Sequence, residues 1–231
     1  LLLARGYRLL GELQQSELQL PLYLTSIMRN NVAALRLLTS GRAGLPHYRL
    51  VGGYKTAVIP IFRNYPRPKG YSFLGGEAAG IDPIFDCLEQ CGRAKDFFTV
   101  FDRQELSQGN GMLKGIKLED FIVAYKGTEP VGVAALWDQS SFRRMVVRAY
   151  SGSMRLASVL DRIVGKLSSA PLLPENGKPF APRYLSCVAV KNNNPEVFAA
   201  LLGEAVTRMR GRKEKLLIAG FFEADRLCPV L

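Results

Sequence analysis

Leu1-Leu2-Leu3-Ala4-Arg5-Gly6-Tyr7-Arg8-Leu9-Leu10 opens the chain and sets its reading. Ala4 and Gly6 are small residues two apart, and Leu9, Leu10 and Leu13 follow with helical apolar spacing. Small side chains let backbone amides approach a phosphate closely, and the amide end of a helix favours the anion they would meet. Behind this start the spacing predicts a helix over residues 1–19. An apolar run, Leu20-Pro21-Leu22-Tyr23-Leu24-Thr25-Ser26-Ile27, reads as a buried strand. Asn30 or Asn31 can cap a second helix carrying Val32, Leu35 and Leu38, ended by Gly41 and Gly44. His47–Val51 and Tyr54–Ile61 are extended runs around Gly52-Gly53, which predicts a two-glycine hairpin.

Ala4-x-Gly6-x-x-Leu9-Leu10 resembles the end of the pyrophosphate-binding signature of GNAT-type N-acyltransferases, with Leu1 where that family has Gln or Arg. Asn31-x-x-Ala34 with Gly41 resembles that family's following N-x-x-A…G segment. The resemblance implies that Ala4, Arg5, Gly6 and Tyr7 cradle the pyrophosphate of acetyl-CoA or another acyl-CoA, with Asn31 near the pantetheine arm. It also implies that a tyrosine seven residues after the Asn protonates the leaving thiolate. Leu38 stands there instead. No catalytic residue is therefore assigned, and Tyr23, Tyr48 and Tyr54 are the candidates to replace the missing acid.

Asn64-Tyr65-Pro66-Arg67-Pro68-Lys69-Gly70 is a linker by composition. Beyond it a helix is expected over 78–92, carrying Cys87 and Cys91 four apart, and an apolar run over Phe97–Phe101. Phe121–Tyr125 and Val131–Trp137 flank Lys126-Gly127 as a hairpin, and Met145–Tyr150 reads as a further extended run. A helix over 154–167, a loop from Pro171 to Pro182, a strand Tyr184–Val190, a helix Pro195–Arg210 and a strand Leu216–Phe222 complete the order. This order also resembles a GNAT domain. The expected fold is α/β: a mixed-sheet, GNAT-like acyl-CoA N-acyltransferase fold in two tandem copies. Residues 1–62 are the rear half of the first copy, 63–74 a basic Pro-rich linker, and 75–231 a second, degenerate copy. In the second copy the signature's glycine positions fall on Glu196 and Phe198, where charge and bulk both oppose a pyrophosphate.

Composition bounds the remaining readings. Hydrophobic residues make up 48% of the 231 and charged residues 22%, a globular balance. No apolar run approaches the roughly 18–20 residues of a membrane span, so no membrane partner is expected. Cys87, Cys91, Cys187 and Cys228 have no zinc-type spacing, and His47 is the single histidine, so no metal site is expected and the setting is a reducing cytoplasm. His47 beside Pro46, and Asp138-Gln139 at a strand end, are minor candidates for cleft residues. The net charge of +11 is concentrated at the front, with +8 over residues 1–69, which suits a polyanionic cofactor or nucleic acid. The function expected is acyl transfer from acyl-CoA to an unidentified amine acceptor. The alternatives are a non-catalytic GNAT-like ligand- or partner-binding protein, and a basic nucleic-acid-binding module.

Overall fold

Alternation organises the centre of the molecule. In Phe121-Ile122-Val123-Ala124 every side chain is buried, the odd positions on one side of a sheet and the even on the other. The computed structural model describes residues 2–17, 22–42, 44–61, 64–167, 173–212 and 214–231, in two units, residues 1–52 and 53–231.

The first unit holds helices α1 (Leu2–Glu17) and α2 (Val32–Thr39). Asn31 caps α2, its side-chain oxygen accepting the Ala34 amide at 3.2 Å. Residues 22–28 form no strand, contrary to the run expected over Leu20–Ile27, of which Leu20 and Pro21 lie outside the described residues. A strand needs a neighbour to take its backbone hydrogen bonds. Here the Leu22 carbonyl is met by the Gln14 side chain at 3.0 Å. Leu45 is the one buried side chain among the described residues of this unit.

The second unit begins with β1 (Tyr54–Pro60), β2 (Ser72–Gly75), α3 (Gly76–Ala79), α4 (Ile81–Gly92) and α5 (Arg103–Gln108). Gly80, with φ of +81°, breaks the helix expected over 78–92 into α3 and α4. Phe97–Phe101 is irregular rather than a regular element. The hairpin strands β3 (Phe121–Lys126) and β4 (Glu129–Asp138) follow, then β5 (Met145–Val146), α6 (Ser153–Leu167) and β6 (Pro179–Phe180). The extended run expected over Met145–Tyr150 thus shrinks to a two-residue strand paired with β6. β7 (Arg183–Val190), α7 (Pro195–Met209) and β8 (Leu216–Phe222) close the unit where the periodicity places them.

Six strands make one mixed sheet in the order β1-β8-β7-β4-β3-β2, antiparallel except for β7 and β8. α7 lays Phe198, Leu201, Leu202, Val206 and Met209 on one face, against Ile122, Leu136 and Leu217. α4 lays Ile84 and Leu88 on the other, against Phe121, Val123 and Val133. The hairpin expected around Gly52-Gly53 does not form. β1 pairs instead with β8 across the length of the unit, from Tyr54↔Phe222 to Pro60↔Leu216. Residues 47–51 carry no strand for β1 to fold back on, whereas β8 offers a complete ladder.

Candidate functional site

The middle of the sheet is forked. Parallel strands β7 and β8 are paired at Arg183↔Leu217 and Tyr184↔Ile218 and not beyond. Leu185–Val190 keeps β4 on its other side, and Ala219–Phe222 keeps β1. Both strands therefore continue with facing backbone groups that have no partner strand between them. Buried amides and carbonyls require partners, and in open α/β sheets ligands collect at the carboxyl ends of parallel strands.

A bulge in β7 shapes this fork. Val133 faces Ala189 and Ala135 faces Ser186, so β7 holds one residue more than β4 between these pairs. Cys187, in that interval, adopts φ of +51°, a strained conformation for a residue with a side chain. Burial pushes its thiol up to about 12, and burial likewise pushes Cys87 up to about 12. Neither is a thiolate near neutral pH, so neither suits a covalent acyl-cysteine step.

Past β7 the chain turns through Asn192 and Asn193, both at positive φ, into α7. Asn194 caps α7 by accepting the Glu196 amide at 2.9 Å. Asn193 donates to Asp225 at 2.9 Å, and Lys95 reaches the same carboxylate at 3.0 Å. Burial opposes ionisation of Asp225, but the Leu227 amide, Asn193 and Lys95 outweigh it and hold the carboxyl below its ordinary value. Glu196 occupies the first turn of α7, so this helix end already carries an anion.

Tyr54 is the sequence candidate that lies over the part of β8 that edges the fork. It opens β1, and its hydroxyl lies against Gly220 of β8, beyond the last β7–β8 pair. A Cβ at residue 220 would collide with that hydroxyl, so glycine is what lets the end of the ring lie over the strand. Phe222 meets the ring edge-on at 6.1 Å between centroids. Partial burial raises the Tyr54 phenol above its ordinary value, so it holds its proton at neutral pH.

The other candidates lie elsewhere. Ala4, Arg5, Gly6 and Tyr7 are inside α1, where the amides of Gly6 and Tyr7 belong to the helical ladder. Ala4, Tyr7, Arg8, Gly44, Leu45 and Pro46 line an open cleft of about 470 Å³ in the first unit. At its edge Tyr7 and Tyr48 share a hydrogen bond of 2.7 Å, and Tyr23 stands edge-on to Tyr7 at 5.5 Å. Burial first, and then the bond to Tyr7, raise the Tyr48 phenol to about 12. The Asn31 side-chain oxygen caps α2, and Leu38 is half-buried on α2. His47 sits near Gly41. Among the described residues no three His, Cys, Asp or Glu side chains gather as a metal-ligand set, and no helix is long and apolar enough to cross a membrane.

One constellation escaped the sequence reading. Arg183, at the closed end of the fork, gathers Glu214 at 3.1 Å, Asp138 at 3.4 Å and Asp120 at 3.9 Å. Burial pushes the Asp120 carboxyl up, against the Lys117 amide and the Arg183 guanidinium. At Asp138 burial is outweighed by the Ser140 bonds and Arg183, and the carboxyl lies below its ordinary value. Asp138 thus anchors the sheet, and Gln139 turns away to its own bond with Arg143. No local spacing marks this cluster, because its members come from four separate segments.

No protein-family profile matches the chain, and no curated protein matches it. Among solved structures it is similar to the crystal structure of a GCN5-related N-acetyltransferase from Sphaerobacter thermophilus. The TM-score is 0.53 at 16% sequence identity, over 87% of this chain and 50% of that one. The chain therefore spans about half the length of that enzyme. At this identity the likeness is one of fold: a mixed α/β sheet of the GCN5-related N-acetyltransferase kind.

Proposed function

We propose that this chain is an N-acyltransferase that accepts the pantetheine arm of an acyl-CoA in the fork between β7 and β8 and passes the acyl group to an amine. The observation that carries the reading is the unpaired stretch of two parallel strands within a six-stranded sheet. An arm bearing amide groups can supply the donors and acceptors that a missing strand would supply. The amine nitrogen then attacks the thioester carbonyl and the carbon–sulfur bond breaks. The Tyr54 hydroxyl protonates the departing sulfur, and the proton lost by the amine restores the phenol. Holding the two reactants in place supplies most of the acceleration.

The tandem arrangement is likewise our proposal, with the rear of a preceding copy ending at residue 52 instead of 62, since β1 joins the six-stranded sheet, and with the expected linker over 63–74 running into β2. It is supported by the helix followed by an Asn-capped helix over residues 2–39. A phosphate site at Ala4, Arg5, Gly6 and Tyr7 is the alternative placement of the acyl-CoA, supported by Arg8, which lines the cleft with Ala4 and Tyr7, and by the cation of Arg5. A second reading, a GNAT-like binding protein without catalysis, is favoured by Glu196 in the first turn of α7, which opposes a pyrophosphate there.

Thiol release from acetyl-CoA, followed with a polyamine, a lysine-containing peptide and a peptide with a free N-terminus, tests catalysis. The expected result is amine-dependent release whose kcat falls about a hundredfold in Tyr54→Phe with KM nearly unchanged. Acetyl-CoA binding without release from any of the three would favour the non-catalytic reading.

A further inference from the structure

α6 presents the wrong face to solvent. Leu156, Val159 and Leu160 share one side of the helix by their i, i+3, i+4 spacing, and they are 71%, 50% and 62% exposed. Ser158 is the buried residue of the same turn, donating to the Arg155 carbonyl at 2.8 Å. Asp161, three residues on, accepts the Leu173 amide at 2.7 Å. A surface helix ordinarily buries its apolar stripe, whereas among the described side chains of α6 Leu156, Val159 and Leu160 face solvent and Ser158 is buried.

The stretch of sequence that contains the helix is basic. Residues 139–180 contain seven Lys/Arg and two Asp/Glu, whereas residues 70–138 contain six and eleven. Arg155 and Arg162, seven apart and both exposed, flank the leucines on one side. An exposed apolar stripe edged by arginines, within a segment of net +5, is complementary to a surface that is anionic outside and apolar beneath.

We propose that α6 is a peripheral anchor that lies in the headgroup plane of an anionic lipid surface. A two-fold dimer through this face would bring Arg155 and Arg162 up against the same two cations of the second copy. Nucleic acid would use the cations and leave the leucines in water. The expectation of no membrane partner rested on the lack of a spanning run, which has no bearing on a helix lying in the interface. This inference is independent of acyl transfer.

The test is co-sedimentation of the whole chain with vesicles of phosphatidylcholine alone and of phosphatidylcholine mixed with phosphatidylserine, at low and high salt. Binding is expected to the phosphatidylserine vesicles and to weaken with salt. Leu156→Ser with Leu160→Ser, and separately Arg155→Gln with Arg162→Gln, should each weaken it by at least about tenfold. These side chains are exposed, so the variants should keep the wild-type circular dichroism spectrum. Absence of vesicle binding by the folded wild type overturns the proposal. So does a dimer that the leucine variant dissolves, or duplex DNA binding that the leucine variant leaves unchanged while vesicles stay unbound.

Discussion

Arg183→Ala is expected to lower folding stability by about 3–5 kcal/mol, because it leaves the buried Asp120 and the part-buried Glu214 and Asp138 without their cation. The Arg183 side chain is 14% exposed, and its partners Asp120, Glu214 and Asp138 are 9%, 18% and 34% exposed. Asp120 is the most buried of the three, and burial raises its carboxyl despite the Lys117 amide and Arg183. For a unit of this size the loss corresponds to a fall in Tm of about 10 °C. The sign of the pH dependence adds a second readout. Asp138, with a folded-state pKa below its ordinary value, contributes stability that is present above that value and lost as pH falls through the lower one. Asp120 works in the opposite sense: its raised pKa costs stability as pH rises from the ordinary value through the folded one. Without Arg183 that cost grows, and protonation removes it. Urea unfolding should therefore show a wide gap between wild type and variant at neutral pH that narrows as the carboxylates protonate. A gap under about 1 kcal/mol, the scale of an exposed pair, would contradict this account of the cluster.

Phe198→Ala should cost a further class of energy, about 3–5 kcal/mol from lost burial and the cavity left behind. Phe198 is fully buried on α7 and meets Phe221 of β8 at 5.0 Å between ring centroids. Counting along the signature places Phe198 where a phosphate-binding glycine would stand, yet its side chain belongs to the core. The substitution should thus lower the unfolding midpoint while the protein that remains folded binds acetyl-CoA with unchanged affinity. A stable variant with altered affinity would mean that residue 198 faces a ligand.

The strands β3, β4, β7 and β8 and the helix α7 could be read from the sequence because each carries its own period and its own turn or cap. Asn31 was legible for the same reason: an N-cap is decided within four residues. Gly52-Gly53 misled because a hairpin is only the nearest way to satisfy Tyr54–Pro60, and β8, over 150 residues further on, satisfies it instead. Leu20–Ile27 has a strand's composition, but the described part, from Leu22, has no strand beside it. Tyr54 was visible as a candidate acid, whereas its place beside Gly220 depends on the β1–β8 register and had no local signal. The fork and the Arg183 cluster were invisible for that reason too. Both are made of long-range pairings, and periodicity reports only which face a residue occupies.

Calorimetric titration of acetyl-CoA and of desulfo-CoA into the wild type and Gly6→Glu, at two salt concentrations, tests the central claim most directly. The fork between β7 and β8 predicts saturable binding of both ligands to the wild type, retained in Gly6→Glu. Binding abolished by Gly6→Glu would move the cofactor to α1 and the first unit. No saturable heat from a protein shown to be folded would contradict acyl-CoA binding itself, leaving an N-acetyltransferase fold put to another use.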